Sequence, residues 1–461
     1  MEVIVLKFGG TSVRFGTSHI TNIINKNLKE GKLPIVVLSA LNKITDLLIQ
    51  ITYSSINNSN TMKEEYDEIY KIHQEIMGNN NFTSNEISKI NNILDELFNI
   101  LSSLQILKVF NKEIIDKVVS YGEILSTEIY SIIINKSITE YTCNIVNFNK
   151  LITIDADTQD VLFEKSKENI DNILIPLVKK NIIPIIGGFN CLDNNNKINN
   201  LGRGGSDYTA TIIAGLLESV KKVIIYTDVN GIKTSDPKKV KNSTIIKEIN
   251  IDEIKELAYF GAKIIHPKTM IPLIKEKKDM YIANTFDPFG DMTRIIYNNK
   301  SRNNNFLSAL SSLNSCSLIN IYGPGMIGKI GILGNIINEI SKLNINIPFI
   351  TQASSEQSIC ICIPSDSVDD VMKNLNKYLN FDIKNNNIEY IKLKNDISII
   401  TTVGNKMINN PGTAGKIFTL LGNENINILA ISQGSTENSI SFIVDEKNEI
   451  TTLNILHNLI N

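Results

Sequence analysis

Arginine is nearly absent from this chain. Arg14, Arg203, Arg294 and Arg302 are the only four in 461 residues, so lysine carries almost all the positive charge. An AT-rich coding sequence accounts for such a bias. It also raises the question of whether an arginine kept inside a glycine-rich motif is there for its planar fork. The five cysteines (Cys143, Cys191, Cys316, Cys360 and Cys362) are odd in number and show neither zinc-type nor CxxC spacing. Free thiols in a reduced, cytoplasmic setting fit that pattern better than a disulfide framework. No His/Cys metal cluster and no Ser/His/Asp arrangement stands out. No apolar run approaches the ~20 residues that a membrane-spanning helix needs. The N-terminus enters "VIVLKFGG" with no basic region and no long apolar stretch before it, so no signal peptide is expected. A net charge of −2 offers no bulk field for nucleic acid.

What is present describes a globular chain of two or three domains, with 42% hydrophobic and 20% charged residues. Buried β-branched runs ("VIVLKF", "LPIVVLSA", "IIPIIGGFN", "KVIIYTDV", "DMYIAN") alternate with helical patterns, and residues 62–135 read mostly as helix. That alternation predicts an α/β sheet covered on both faces. "CLDNNNKINN" (191–200) reads as a hairpin tip or surface loop, and "NNKSRNNNF" (298–306) as a linker. The tail repeats itself. "NINIPFITQASSEQSICICI" and "NINILAISQGSTENSISFIV" place Gln352/Gln433, Glu356/Glu437 and Ser358/Ser439 each 81 positions apart. Two copies of a small α+β module follow. Gly323, Gly325 and Gly328 have GxGxxG spacing, but too little chain follows for a dinucleotide domain, and a turn opening a small-ligand module is the expectation.

The chemistry-bearing segments sit at strand ends. "KFGGTSV" puts Lys7 before Gly9 and Gly10. It reads either as a phosphate-approaching turn or as a tight turn with a solvated lysine. Thr45, six residues after Ser39, either orients a substrate or caps a helix. Glu123, in "VSYGEILS", is read near a helix start, as a partner for a substrate ammonium or as a solvated glutamate. Gly187 and Gly188 offer a second close backbone approach. "LGRGGSDYTA" is more specific: Arg203 suits a carboxylate or phosphate, and Asp207 an ammonium or metal-bound phosphates. Thr227, Asp228, Lys233 and Lys238 can line a nucleotide cleft. Lys263 interrupts an apolar run, and His266 is expected to cap or pack. Ligands of open α/β sheets bind outside the carboxyl ends of strands. The set therefore suits phosphoryl transfer from a nucleotide to a small acidic acceptor.

Taken in order, "KFGGTSV", "LGRGGSDYTA", "TDVNGI", "SDP" and "FGAKIIHP" resemble the aspartate kinase family over nearly the whole chain. The resemblance implies an amino-acid-kinase αβα sandwich (1–297), a linker (298–312) and two α+β ACT modules (313–392 and 393–461) that exchange strands. It implies a cytoplasmic enzyme making 4-phospho-L-aspartate and ADP from ATP and L-aspartate, with Mg2+, as a first step of lysine, threonine and methionine biosynthesis. Lys7, Asp207 and Lys263 are then catalytic. Thr45, Glu123, Arg203 and Asp207 bind aspartate. Lys7, Gly9, Gly10, Thr227, Asp228, Lys233, Lys238 and Lys263 bind ATP. No residue is assigned as a metal ligand. In-line transfer between two anions needs positioning and charge neutralisation more than a covalent intermediate.

Two positions depart from the family pattern. Lys233 replaces a tyrosine, which weakens nucleotide stacking, and Lys238 replaces an arginine, which keeps the charge without the bidentate fork. The tail is most similar to the threonine-responsive branch, in which glutamines matching Gln352 and Gln433 contact the effector. Threonine is the expected effector, with lysine the alternative. The chain ends before a dehydrogenase would begin, which implies a monofunctional kinase. Paired modules of this kind imply a homodimer or homotetramer. The competing readings are an inactive amino-acid sensor and a related kinase for acetylglutamate, glutamate or UMP.

Overall fold

The apolar strand Glu2–Phe8 is buried from Val3 onward, as a central parallel strand covered on both faces must be. The computed structural model describes residues 1–57, 61–259, 265–297, 306–408, 410–434 and 436–460. The chain divides into two compact units, one of residues 1–232 and 265–297, the other of residues 233–264 and 298–461. Residues 233–264 fall inside the stretch that sequence assigned to the catalytic domain, yet they cluster with the C-terminal unit.

In the first unit the sheet runs Cys143–Val146, Ile183–Gly187, Lys32–Leu38, Glu2–Phe8, Val220–Thr227, Asp279–Asn284 and Thr293–Ile296. Every pairing is parallel except the last, between Asp279–Asn284 and Thr293–Ile296. The long helical stretch resolves into Met62–Asn79, Ser84–Leu107 and Lys112–Ser137. Thr83 and Glu86 form a capping box at the start of the second, and Asn111 caps the third through Ile114 N–H. The apolar faces of these helices share one core with the central strands, including Leu6, Leu94, Leu101 and Tyr130. "CLDNNNKINN" forms a hairpin, Asn190–Asp193 against Ile198–Asn200.

The second unit carries a six-stranded sheet in the order Phe349–Gln352, Ser358–Pro364, Ala309–Tyr322, Tyr390–Val403, Ser439–Asp445 and Ala430–Gln433. Two long strands pass between the repeats. Leu307 and Leu310 enter the core of the second repeat beside Ile400 and Phe442, while Ile388 and Ile391 pack with Ile319 and Ile361 of the first. Ala309–Tyr322 begins inside the stretch read as linker, and residues 298–305 lie outside the described residues. Gly323 and Gly325 serve a tight turn: a Cβ on either would lie within 2.1 or 2.5 Å of Asn387 backbone atoms. The five cysteines are unpaired. Among the described residues, no helix is long and apolar enough to cross a membrane.

Candidate active site

Phe8, Leu38, Gly187, Thr227 and Asn284 end parallel strands on one edge of the first unit's sheet. The chain leaving Phe8 goes to the neighbour on one side, and the chain leaving Thr227 continues to the strand on the other. Such a reversal opens a crevice between the two loops. Lys7 lies one residue before its strand ends and is 8% exposed. Its ammonium lies 2.6 Å from Asp207 Oδ1, in an ion pair with side chains 9% and 13% exposed. Asp207 stands in the first turn of the helix Gly205–Leu216. Gly204 starts that helix with φ +73, a left-handed geometry that suits glycine, and a Cβ there would press on His266 at 2.9 Å. Beneath the same turn, a Cβ on Gly188 would come within 2.7 Å of Ser206 Cα, so the strand-end glycine admits the helix.

Glu123 lies deeper. Sequence put it near a helix start, but it sits mid-helix in Lys112–Ser137. Its location follows from packing: the Ala40 amide, just past the strand Lys32–Leu38, donates to Glu123 Oε1 at 3.0 Å. Glu123 Oε2 is buried with no hydrogen-bond partner among the described residues. Burial pushes the carboxyl up to about 8, opposed by the Ala40 amide and the charge of Lys7. A buried acid with one free oxygen, a lysine–aspartate pair and glycine turns thus converge at the strand ends. That array can neutralise phosphates and receive an ammonium group.

Residues 2–284 match the amino acid kinase family, more than half of the chain. The chain belongs to that family. Residues 319–379 and 400–459 of this amino acid kinase match the ACT domain. The chain is 34% identical to the bifunctional aspartokinase/homoserine dehydrogenase of Buchnera aphidicola subsp. Acyrthosiphon pisum, over 98% of this chain and 56% of that protein. It spans about half the length of the bifunctional relatives it matches. Aspartokinase 2, chloroplastic, of Arabidopsis thaliana is 26% identical over 98% of this chain and 83% of its own length. The fold is shared with E. coli aspartokinase III in complex with aspartate and ADP, with TM-score 0.81, 24% identity and coverage of 99% of each chain.

The other predicted positions of this amino acid kinase are spread wider. Gly9 and Gly10 follow Lys7 directly; Gly9 N–H donates to Tyr226 C=O at 3.0 Å, tying the turn to the next strand. Thr45 is half-buried at the second position of Ile44–Ile56 and is not its cap, which is Lys43 with φ 76. Arg203 is exposed and makes no ion pair among the described residues; its charge helps lower the His266 pKa, after burial and Lys268. His266 caps the turn Pro267–Met270. Thr227 Oγ1 donates to Asp228 Oδ1 at 3.0 Å. Lys233 and Lys238 fall in the second unit, and Lys263 lies outside the described residues. Sequence reading missed the Ala40 amide, which no side chain advertises. It also missed the Thr285–Ser12 hydroxyl pair (2.6 Å, buried) and the Asn284–Asn230–Asp287 chain, both next to strand ends. Their strand-end positions were the available signal.

In the second unit, Gln352 and Gln433 close two edge strands that approach one another, in matching registers opposite Ile359 and Ile440. A cavity of about 500 Å³ in the second repeat is lined by Met407, Asn410, Thr413, Gln433, Glu437 and Ile440, among others. Gln352 is not part of its lining.

Proposed function

We propose that this chain is an aspartate kinase, transferring the γ-phosphoryl of MgATP to the β-carboxylate of L-aspartate to give 4-phospho-L-aspartate and ADP. The observation that carries the reading is the convergence of the Lys7–Asp207 pair with buried Glu123 at the strand ends. Lys7 neutralises charge on the transferring phosphoryl, and Asp207 holds that ammonium in place. Gly9 and Gly10 let backbone approach the phosphates. Thr227 and Asp228 serve the nucleotide, with Lys233, Lys238 and Lys263. Glu123 takes the substrate ammonium on its free oxygen, beside Thr45, and the exposed Arg203 fork pairs with the α-carboxylate. The attacking β-carboxylate is ionised at neutral pH, so no strong general base is required. Magnesium enters with the nucleotide. It would take its ligands mainly from phosphate and water, and no side chain of this chain is assigned to it.

The paired modules bind an amino-acid effector, threonine rather than lysine, through Gln352 and Gln433, in a cytoplasmic homodimer or homotetramer. Coupled ADP release tests the activity: turnover with L-aspartate and none with L-glutamate or UMP is expected. Threonine binding with no turnover on any acceptor would mark the chain as a sensor instead.

A further inference from the structure

Residues 233–264 are covalently part of the catalytic stretch but structurally part of the regulatory unit. Thr234 N–H donates to Thr244 C=O, and Leu310 N–H donates to Thr234 C=O, both at 2.8 Å. Thr234 Oγ1 lies 2.8 Å from His457 Nε2 in a buried contact. Lys239 reaches Glu449 at 2.6 Å, and Val240 enters the core of the second repeat. The helix Ile251–Tyr259 completes the attachment, burying Ile251, Ile254 and Leu257.

Two carboxylates of that helix grip the walls of the second-repeat cavity. Glu253 is 1% exposed and fully engaged. Its Oε2 accepts from Asn250 N–H at 2.9 Å; its Oε1 accepts from Ser308 Oγ at 2.5 Å and from Asn405 N–H at 2.8 Å. Asn405 opens the turn Asn405–Met407, and Met407 lines the cavity. Glu256 Oε2 accepts from Ser439 Oγ at 2.8 Å, between the lining residues Glu437 and Ile440. The two walls are themselves joined, Gly404 N–H donating to Asn438 C=O at 2.9 Å.

The chain's departure from the first unit and its return both lie beside site elements. It departs after Ile232, whose N–H donates to Thr293 Oγ1 at 2.8 Å, four residues beyond Asp228. It returns at Ile265–His266, where His266 packs on Gly204, next to Arg203.

We propose that residues 233–259 form the linkage through which the second-repeat cavity controls the catalytic unit, with Glu253 as the positioning residue that ties the linkage to the cavity wall. This rests on the effector reading above. A ligand that prefers one arrangement of the turn Asn405–Met407 shifts the helix Ile251–Tyr259 through Glu253. The shift passes back along the chain from that helix toward Ile232 and Asp228. Coupling requires that differential affinity and nothing more.

The test separates binding from control in the full-length chain. L-threonine and L-lysine binding is measured by calorimetry and inhibition by ADP release, for wild type, Glu253→Gln and Ser308→Ala. The isosteric Glu253→Gln removes the charge and places an amide N–H opposite the backbone N–H of Asn250 or Asn405. Its expected signature is effector binding within about threefold of wild type and a half-inhibiting concentration raised about tenfold, inside the usual range of allosteric coupling. Inhibition that tracks binding unchanged in both variants overturns the proposal. If Glu253→Gln does not fold, Ser308→Ala, which removes one arm of the clamp, carries the test. If neither amino acid binds wild type, the effector reading fails, and a plugged cavity decides the linkage. Ala414→Phe should then change KM for aspartate in the wild-type background and not in a clamp variant, whereas equal effects in both overturn it.

Discussion

Lys7 and Asp207 stand 200 residues apart in the chain, yet the ammonium of one lies 2.6 Å from the carboxylate of the other. The contact joins the end of the central strand to the first turn of the helix Gly205–Leu216. On the proposed reaction, removing Lys7 takes away a charge meant for the transferring phosphoryl, and it leaves Asp207 without its ion-pair partner. Lys7→Ala should lower kcat by about 10²–10³, the usual cost of a lost transition-state contact, while KM for aspartate changes little. Lys7→Arg should not restore the rate, because a planar fork cannot occupy a point-charge site. Unchanged kcat in Lys7→Ala would remove the lysine from the chemistry.

Glu123 is held at about 8 in the free protein chiefly by burial. In the proposed function a substrate ammonium pairs with the ionised form, so kcat/KM for aspartate should rise toward pH 8 and then level. Glu123→Gln should lose that limb and raise KM by about 10- to 100-fold, the equivalent of one charge-assisted hydrogen bond. Stability moves the opposite way. The folded acid binds its proton more tightly than the unfolded one, so its stabilising effect is complete below the ordinary carboxyl value of 4.5 and is lost as pH rises through about 8. Thermal melts of Glu123→Gln should therefore gain on wild type as pH climbs from 5 to 8. Parallel melting curves would refute the buried-acid assignment.

His73 carries a titration of the opposite kind. It is fully buried in the helical layer. Its Nδ1–H donates to Ile69 C=O at 2.7 Å, and Nε2 has no partner among the described residues. Burial lowers its pKa to about 4, with Arg14 adding to the shift. The unfolded chain binds the proton first, so stability should be intact above about 6.5 and fall as pH drops toward 4, by roughly 3 kcal/mol in all. Denaturant titrations at pH 7 and pH 4.5 check this. His73→Leu should flatten the dependence on the acid side; an unaltered slope would move the effect elsewhere.

The reach of the sequence can be judged from these same residues. Lys7, Arg203, Asp207 and Thr227 were legible as candidates because glycine-rich turns at strand ends are written in adjacent letters. Glu123 was legible as a candidate but not in its setting, since its environment is made by Ala40 from a distant loop and by burial in Lys112–Ser137. Thr45 looked like a cap only because the left-handed Lys43 cannot be foreseen from composition. The regulatory repeat was plain as an 81-residue echo. Assignment of residues 233–264 to the regulatory unit was hidden, because it rests on Thr234, Val240 and Glu253 meeting partners far along the chain.

Gly188 offers a steric test of the site's frame. Its backbone is not in a left-handed conformation, so a side chain there is opposed by space alone. An alanine Cβ would lie 2.7 Å from both Ser206 Cα and Ser206 Cβ, and the backbone atom can yield only if the first turn of Gly205–Leu216 shifts. That turn carries Asp207, the partner of Lys7. A displacement of about 1 Å at a positioning group can cost on the order of 10² in rate, whereas the overpacking itself destabilises by about 1–3 kcal/mol. Gly188→Ala should thus lose far more activity than stability. Gly78→Ala is the control, because nothing among the described residues lies within 4 Å of its added Cβ. It should leave kcat unchanged and melt at or above the wild-type temperature. If Gly188→Ala keeps full kcat, the close approach of Gly188 to Ser206 does not set the position of Asp207.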